Sequence, residues 1–112
     1  MTNRIAYEDF AKVELRVGTI INVEDSSRAK HPAYKLKVDF GKHGIRKSSA
    51  QITQLYTKEE LLDKQVIAVT NFPPKQIADF VSEVLILGVI LEDDKVVLLQ
   101  PERKVPNGYK IA

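Results

Sequence analysis

Between positions 28 and 47 the chain holds seven basic side chains, Arg28, Lys30, Lys35, Lys37, Lys42, Arg46 and Lys47, against the single acid Asp39. The other residues hold 10 basic and 14 acidic side chains, so a net charge of +2 conceals an electrically polar molecule. Such asymmetry calls for an anionic partner. Lys35 and Lys37 lie two residues apart, which in a strand puts both on one side. Cross-strand neighbours such as Arg46 or Ser48 are expected beside them, with Lys47 and Ser49 following, and the result is a positive platform. Five phosphate contacts on it would give a log–log salt slope of about −3.5 to −4.5. The Ser48 and Ser49 hydroxyls can donate to phosphates or bases, or else cap the next helical turn. The competing reading is a solvated hairpin whose charges serve only solubility.

Catalysis has little to work with. There is no Cys, which excludes disulfides, thiolate metal sites and Cys nucleophiles. His31 precedes Pro32, and His43 sits in a glycine-flanked turn, too isolated for a metal set. No His lies in sequence context to activate Ser48 or Ser49. Asp79 and Glu83 bracket Phe80 after Pro74, but without a nucleophile or a phosphate cradle they read as solvated loop charge. No catalytic residue, metal or cofactor is therefore expected. No apolar run approaches the ~20 residues of a membrane span, and the N-terminus lacks a secretory h-region, so a cytoplasmic location is expected.

The elements that position the platform follow from periodicity. At 112 residues one domain spanning 1–112 is expected. Tyr34 to Phe40 alternates apolar with charged, Gly41-Lys42-His43-Gly44 turns, and Ile45 to Ala50 returns as the second arm of a hairpin. Upstream, Val13, Leu15 and Val17 alternate, then the phase shifts through Ile20, Ile21 and Val23, which predicts a bulge or bend at Gly18. Ile52, Leu55 and Tyr56 recur at helical spacing, and Thr57 with Glu60 forms a capping-box signature, so short helical turns are expected between 52 and 63. Strands then follow at 66–70, from Val84 to about Leu91 and at 96–99, with turns at Pro73-Pro74, Asp93-Asp94 and Pro106-Asn107-Gly108. This order predicts a mainly-β chain. The expected fold is an OB-fold, a five-stranded Greek-key barrel with a short helix between strands 3 and 4, plus N- and C-terminal extensions. Its binding face lies on strands two and three, where the basic hairpin is. With Tyr34 and Phe40 inward, aromatics for stacking are few, which favours recognition of folded RNA over single strands.

Several stretches go beyond fold logic: Asp9-Phe10 with residues 13–20, Pro32-Ala33-Tyr34-Lys35-Leu36, Lys47 to Thr53, Asn71 to Ala78, residues 82–88 and Leu98-Leu99-Gln100-Pro101. Together these resemble the CsaA family, secretion-related chaperones built on a tRNA-binding domain. The resemblance implies an OB-fold homodimer, a basic tRNA-binding face, and apolar pockets for unfolded or pre-secretory polypeptides. It adds Asn71, Lys75 and Ser82 to the RNA-binding set of Lys35, Lys37, Arg46, Lys47, Ser48 and Ser49. The wider tRNA-binding family usually carries a Gly-Met pair two residues after that Ser, where this chain has Val84 and Leu85. Phe72, Pro73, Pro74, Ile77 and Phe80 are assigned to a peptide groove, with core packing beneath a long loop as the alternative. The terminal segments, with Ile5, Phe10, Val105, Tyr109 and Ile111, are expected at the dimer interface. The expected function is a non-catalytic tRNA-binding chaperone; the alternative is an RNA-binding accessory factor without peptide holding.

Overall fold

The protein is represented by a computed structural model that describes residues 2–26 and 32–112. Arg28, Lys30 and His31 lie outside the described residues.

A short helix α1 (Tyr7–Ala11) leads into the long strand β1 (Leu15–Asp25). Then come β2 (Tyr34–Asp39), a 3-10 turn at Gly41–His43, β3 (Ile45–Ala50), the helix α2 (Lys58–Leu61) and β4 (Gln65–Val69). The chain continues through β5 (Lys75–Ile77), β6 (Phe80–Ser82), β7 (Leu85–Ile86), β8 (Gly88–Ile90), β9 (Val96–Leu98) and β10 (Lys110–Ile111). All pairings are antiparallel, and the main sheet runs β3-β2-β1-β4-β7. The ladder nearly closes into a five-stranded barrel, the OB-fold read from the element order.

The core is the inward set of these strands: Ile20, Leu36, Val38, Phe40, Val66, Ala68 and Val84, with Leu61 of α2 capping one end. Each such large side chain contributes roughly 1.5–3 kcal/mol by leaving water. The capping box is realised: Thr57 Oγ1 accepts from Glu60 N at 3.2 Å, and Thr57 N donates to Glu60 Oε1 at 2.8 Å. The helix is nonetheless confined to four residues, and Leu55 is exposed. Tyr34 and Phe40 are buried as expected.

Three expectations are corrected. The β1 irregularity lies between Ile20 and Asn22 on the β2 side, not at Gly18, where β1 and β4 stay in register. Gly18 is there for packing, since a Cβ would lie 2.6 Å from Val38 Cγ1 and 2.8 Å from the Phe40 ring. Second, the strand expected from Val84 to about Leu91 breaks at Leu87, where β7 stays with β4 and β8 turns away to pair with β9. Gly88 permits this, because a Cβ there would sit 2.9 Å from Val97 O. Third, the expected loop after Pro74 is the hairpin β5–β6, turned by Ala78 and Asp79, with Ala78 at φ 54°.

The C-terminal segment is not free of the barrel. β10 pairs with the first residues of β1, Gly108 N donates to Val17 O at 2.7 Å and Val17 N to Tyr109 O at 3.1 Å. Gln65 and Thr19 hold Asn107 Oδ1 at 3.1 and 2.7 Å.

Candidate nucleic-acid interface and the adjoining groove

The β2–β3 register decides which basic residues meet. Lys37 lies opposite Lys47 and Lys35 opposite Ser49, while Val38 lies opposite Arg46 and Leu36 opposite Ser48. Directly opposed residues share a face of the sheet. Leu36 and Val38 are buried, so Lys35, Lys37, Lys47 and Ser49 form the outward platform. Arg46 and Ser48 belong to the other face, which corrects the expectation that they flank the lysines. The antiparallel register, set by the turn, is off by one from that guess, and one residue exchanges the faces.

Ser48 is 1% exposed and donates to Val84 O at 3.0 Å, so its hydroxyl is spent on the core and not on a ligand. Ser82 is committed too: its Oγ accepts from Ser49 N at 3.1 Å and donates to Val84 O at 3.4 Å. Glu83, read as solvated charge, accepts from Lys47 N at 2.9 Å through Oε1, and Glu83 N donates to Lys47 O at 2.8 Å. These side chains extend the short backbone joint in which Glu83 N and Val84 N both donate to Lys47 O. Val84 has no left-handed φ and buries its side chain, so a valine costs that position no backbone strain. Asn71 is a clip for the N-terminal segment: its Nδ2 donates to Lys12 O at 2.7 Å and its Oδ1 accepts from Glu14 N at 2.9 Å.

Electrostatics around the clip are consistent with that role. Glu14 Oε1 accepts from the Thr70 hydroxyl at 2.7 Å and from Arg16 Nε at 3.0 Å. These two hydrogen bonds hold the Glu14 carboxyl below its ordinary value, Thr70 contributing most.

On the platform, Lys35 Nζ lies 5.5 Å and Lys47 Nζ 5.4 Å from the Phe80 ring centre, within cation–π range. Lys35 also pairs with Asp79 at 3.6 Å. Phe80, assigned to the peptide groove, therefore stands among the basic residues. It is the aromatic that sequence reading missed on this face; the alternation of Ile77, Phe80 and Ser82 around a two-residue turn was the available signal.

Beside the platform runs a groove of about 470 Å³ lined by Phe72, Pro73, Lys75, Ile77, Ser82 and Leu85 among others, with Ser49 at its edge. Phe72 and Leu85 are largely exposed there. Residues expected at two separate sites thus meet in one place: Phe72, Pro73 and Ile77 share the groove with Ser49, Lys75 and Ser82. Pro74 and Phe80 do not line it. Among the described residues no cluster of His, Cys, Asp or Glu could hold a metal ion.

Comparison with known proteins places this geometry. Residues 15–110 match the family described as "Putative tRNA binding domain". The structure of the chaperone CsaA from Bacillus anthracis superposes with a TM-score of 0.94 at 48% identity, covering 98% of this chain and 100% of that one. The CsaA chaperone protein of Picrophilus torridus gives 0.91 at 55% identity, covering 97% and 100%. Among curated relatives, the methionine–tRNA ligase of Pyrococcus horikoshii is 40% identical over 107 residues. Those residues are 96% of this chain but only 14% of the ligase, so the chain spans a small part of the curated relatives it matches.

Proposed function

The chain belongs to the CsaA chaperone family of tRNA-binding domains, and we propose that it is a non-catalytic protein that binds tRNA and holds unfolded or exported polypeptide. The RNA-binding part rests on the outward platform, where Lys35, Lys37 and Lys47 are brought together by the β2–β3 register with Ser49 beside them. Phosphates neutralised there release condensed counterions, so binding weakens steeply with salt. Lys75, exposed at the groove, extends the positive surface.

Peptide holding is assigned to the apolar wall of Phe72, Pro73, Ile77 and Leu85. Apolar burial does not depend on counterion release, so holding persists at salt that abolishes tRNA binding. The location read is cytoplasmic; no helix among the described residues is long and apolar enough to cross a membrane. A homodimer fits the surface. The chain exposes 7767 Å², against about 6,200 Å² for a compact monomer of its mass. Ile5, Tyr7, Ile90 and Tyr109 are among its exposed apolar residues.

The alternative, an RNA-handling accessory factor without peptide holding, draws on the matches to methionine–tRNA ligases. Separate titrations of tRNA and of an unfolded polypeptide, each at two salt concentrations, decide between them. The proposed reading expects both ligands to bind, with only tRNA lost at high salt. Failure of the polypeptide to bind at either salt leaves the accessory-factor reading.

A further inference from the structure

The apolar groove and the basic platform are two parts of one surface. In the β5–β6 register Lys75 lies opposite Ser82 and Ile77 opposite Phe80, so these four side chains share one face of that hairpin. Lys75, Ile77 and Ser82 line the groove, while the Phe80 ring reaches the ammonium groups of Lys35 and Lys47. The hairpin face that borders the groove is therefore also the face that meets the platform. Ser49 joins the two from the barrel side. It lines the groove, and in the β2–β3 register it lies opposite Lys35.

The spacing makes an overlap of ligands unavoidable. Directly opposed residues have Cβ atoms about 5 Å apart, which sets Ser49 against Lys35. Lys47, two residues along β3, stands about 7 Å from Ser49. A polypeptide with its side chains is roughly 10 Å across, whether extended or helical. Seated in the groove as far as Ser49, it intrudes over Lys35. An apolar chain there strips water from the ammonium group without pairing it, which is costly. An RNA strand with phosphates on Lys35 and Lys47 overhangs Ser49 in return.

The joint between groove and platform leaves no slack for both to be filled. Glu83 and Val84 line the groove, and both donate backbone N–H to Lys47 O, at 2.8 and 3.3 Å, while Glu83 Oε1 accepts from Lys47 N at 2.9 Å. Asp79, at the turn of the β5–β6 hairpin, pairs with Lys35 at 3.6 Å. Groove wall and platform lysines are tied through backbone as well as side chains, so neither shifts without the other.

We infer that tRNA and apolar polypeptide exclude one another on this surface, so that a given copy of the chain carries an RNA or a client but not both. This rests on the two-ligand reading given above and adds how the two are regulated. Occupancy follows their relative concentrations and the salt: rising salt releases RNA and frees the groove. By linkage the exclusion is reciprocal, each ligand weakening the other by the same factor.

The test is competition at low salt between fluorescent tRNA and an uncharged Leu- and Phe-rich peptide, a probe that cannot pair with the lysines. Peptide at about ten times its own Kd weakens tRNA binding about tenfold, and the weakening grows in proportion to added peptide without a plateau. In Leu85→Ser the peptide binds about tenfold more weakly, through loss of one apolar side chain, and the concentration that displaces tRNA rises by the same factor. Phe72→Ser takes its place if that variant melts early. Unchanged tRNA affinity under saturating peptide, with each ligand binding when alone, overturns the exclusion and leaves the two-ligand function standing. Displacement that stays the same in Leu85→Ser while peptide affinity falls overturns it as well. Failure of either ligand to bind when alone overturns the underlying reading, and the exclusion with it.

Discussion

The two edges of β3 are held by different chemistry. Toward β2 an unbroken backbone ladder runs from Tyr34–Ala50 to Asp39–Ile45. Toward residues 82–84 the joints are largely made by side chains: Ser48 to Val84 O, Ser82 to Ser49 N, and Glu83 to Lys47 N. The ladder edge carries the charged platform, with lysines set at fixed spacing by the pleat. The clasped edge borders the apolar groove. A backbone ladder tolerates almost any outward side chain, so charge can be placed on it freely. A side-chain clasp depends on the identity of a few residues, so substitutions there act on stability before they act on binding.

The largest effect expected from this contrast is on the ladder edge. Lys37→Glu/Lys47→Glu reverses two facing charges and weakens tRNA binding by about two orders of magnitude, with a shallower salt slope. Circular dichroism and the melting curve stay as in the unaltered protein, because both residues face outward. A folded double variant that binds tRNA normally would reduce the platform to a solubility device.

On the clasped edge, Ser48→Ala removes the shorter of two hydroxyl hydrogen bonds to Val84 O, Ser82 keeping the other, and costs about 0.5–1.5 kcal/mol of stability. Chemical denaturation measures it. The expected pattern is lowered stability with unchanged tRNA affinity at temperatures where the variant is folded. An unchanged denaturation midpoint would show that the clasp does not close the barrel.

Phe80 belongs to the hairpin that borders the groove without lining it, and lies under the ammonium groups of Lys35 and Lys47. Phe80→Leu keeps apolar bulk and removes the two cation–π contacts, each worth about 0.5–1 kcal/mol at exposed sites. A several-fold loss of tRNA affinity with polypeptide holding retained is expected in paired titrations. Loss of holding alone would return Phe80 to the groove.

The smallest effect concerns the N-terminal clip. The Glu14 carboxyl is held below its ordinary value by Thr70 and then Arg16. A depressed folded value means its contribution is present above the ordinary carboxylate range and is lost as pH falls through the lowered value. Melting temperature should therefore drop slightly more in acid than for Glu14→Gln, in which that titration is absent. Identical profiles for the two proteins would remove Glu14 from the pH response.

What could be read from residues alone was what depends on local periodicity. Alternation from Tyr34 to Phe40 marked the hairpin and its inward set because a strand side chain has only two faces to choose from. Thr57 and Glu60 marked a helix start because the cap closes within four residues. The order of strands and one helix implied the barrel. The tertiary structure decided the pairings between distant residues. Arg46 and Ser48 exchanged faces with Lys47 and Ser49 because a one-residue change in cross-strand register reverses every side chain. Ser48 read as a ligand donor because a hydroxyl near a basic strand looks available, and the resemblance added Asn71 and Ser82. Their partners Lys12, Glu14, Ser49 and Val84 lie elsewhere in the chain, and only folding shows that the hydrogen bonds are already made.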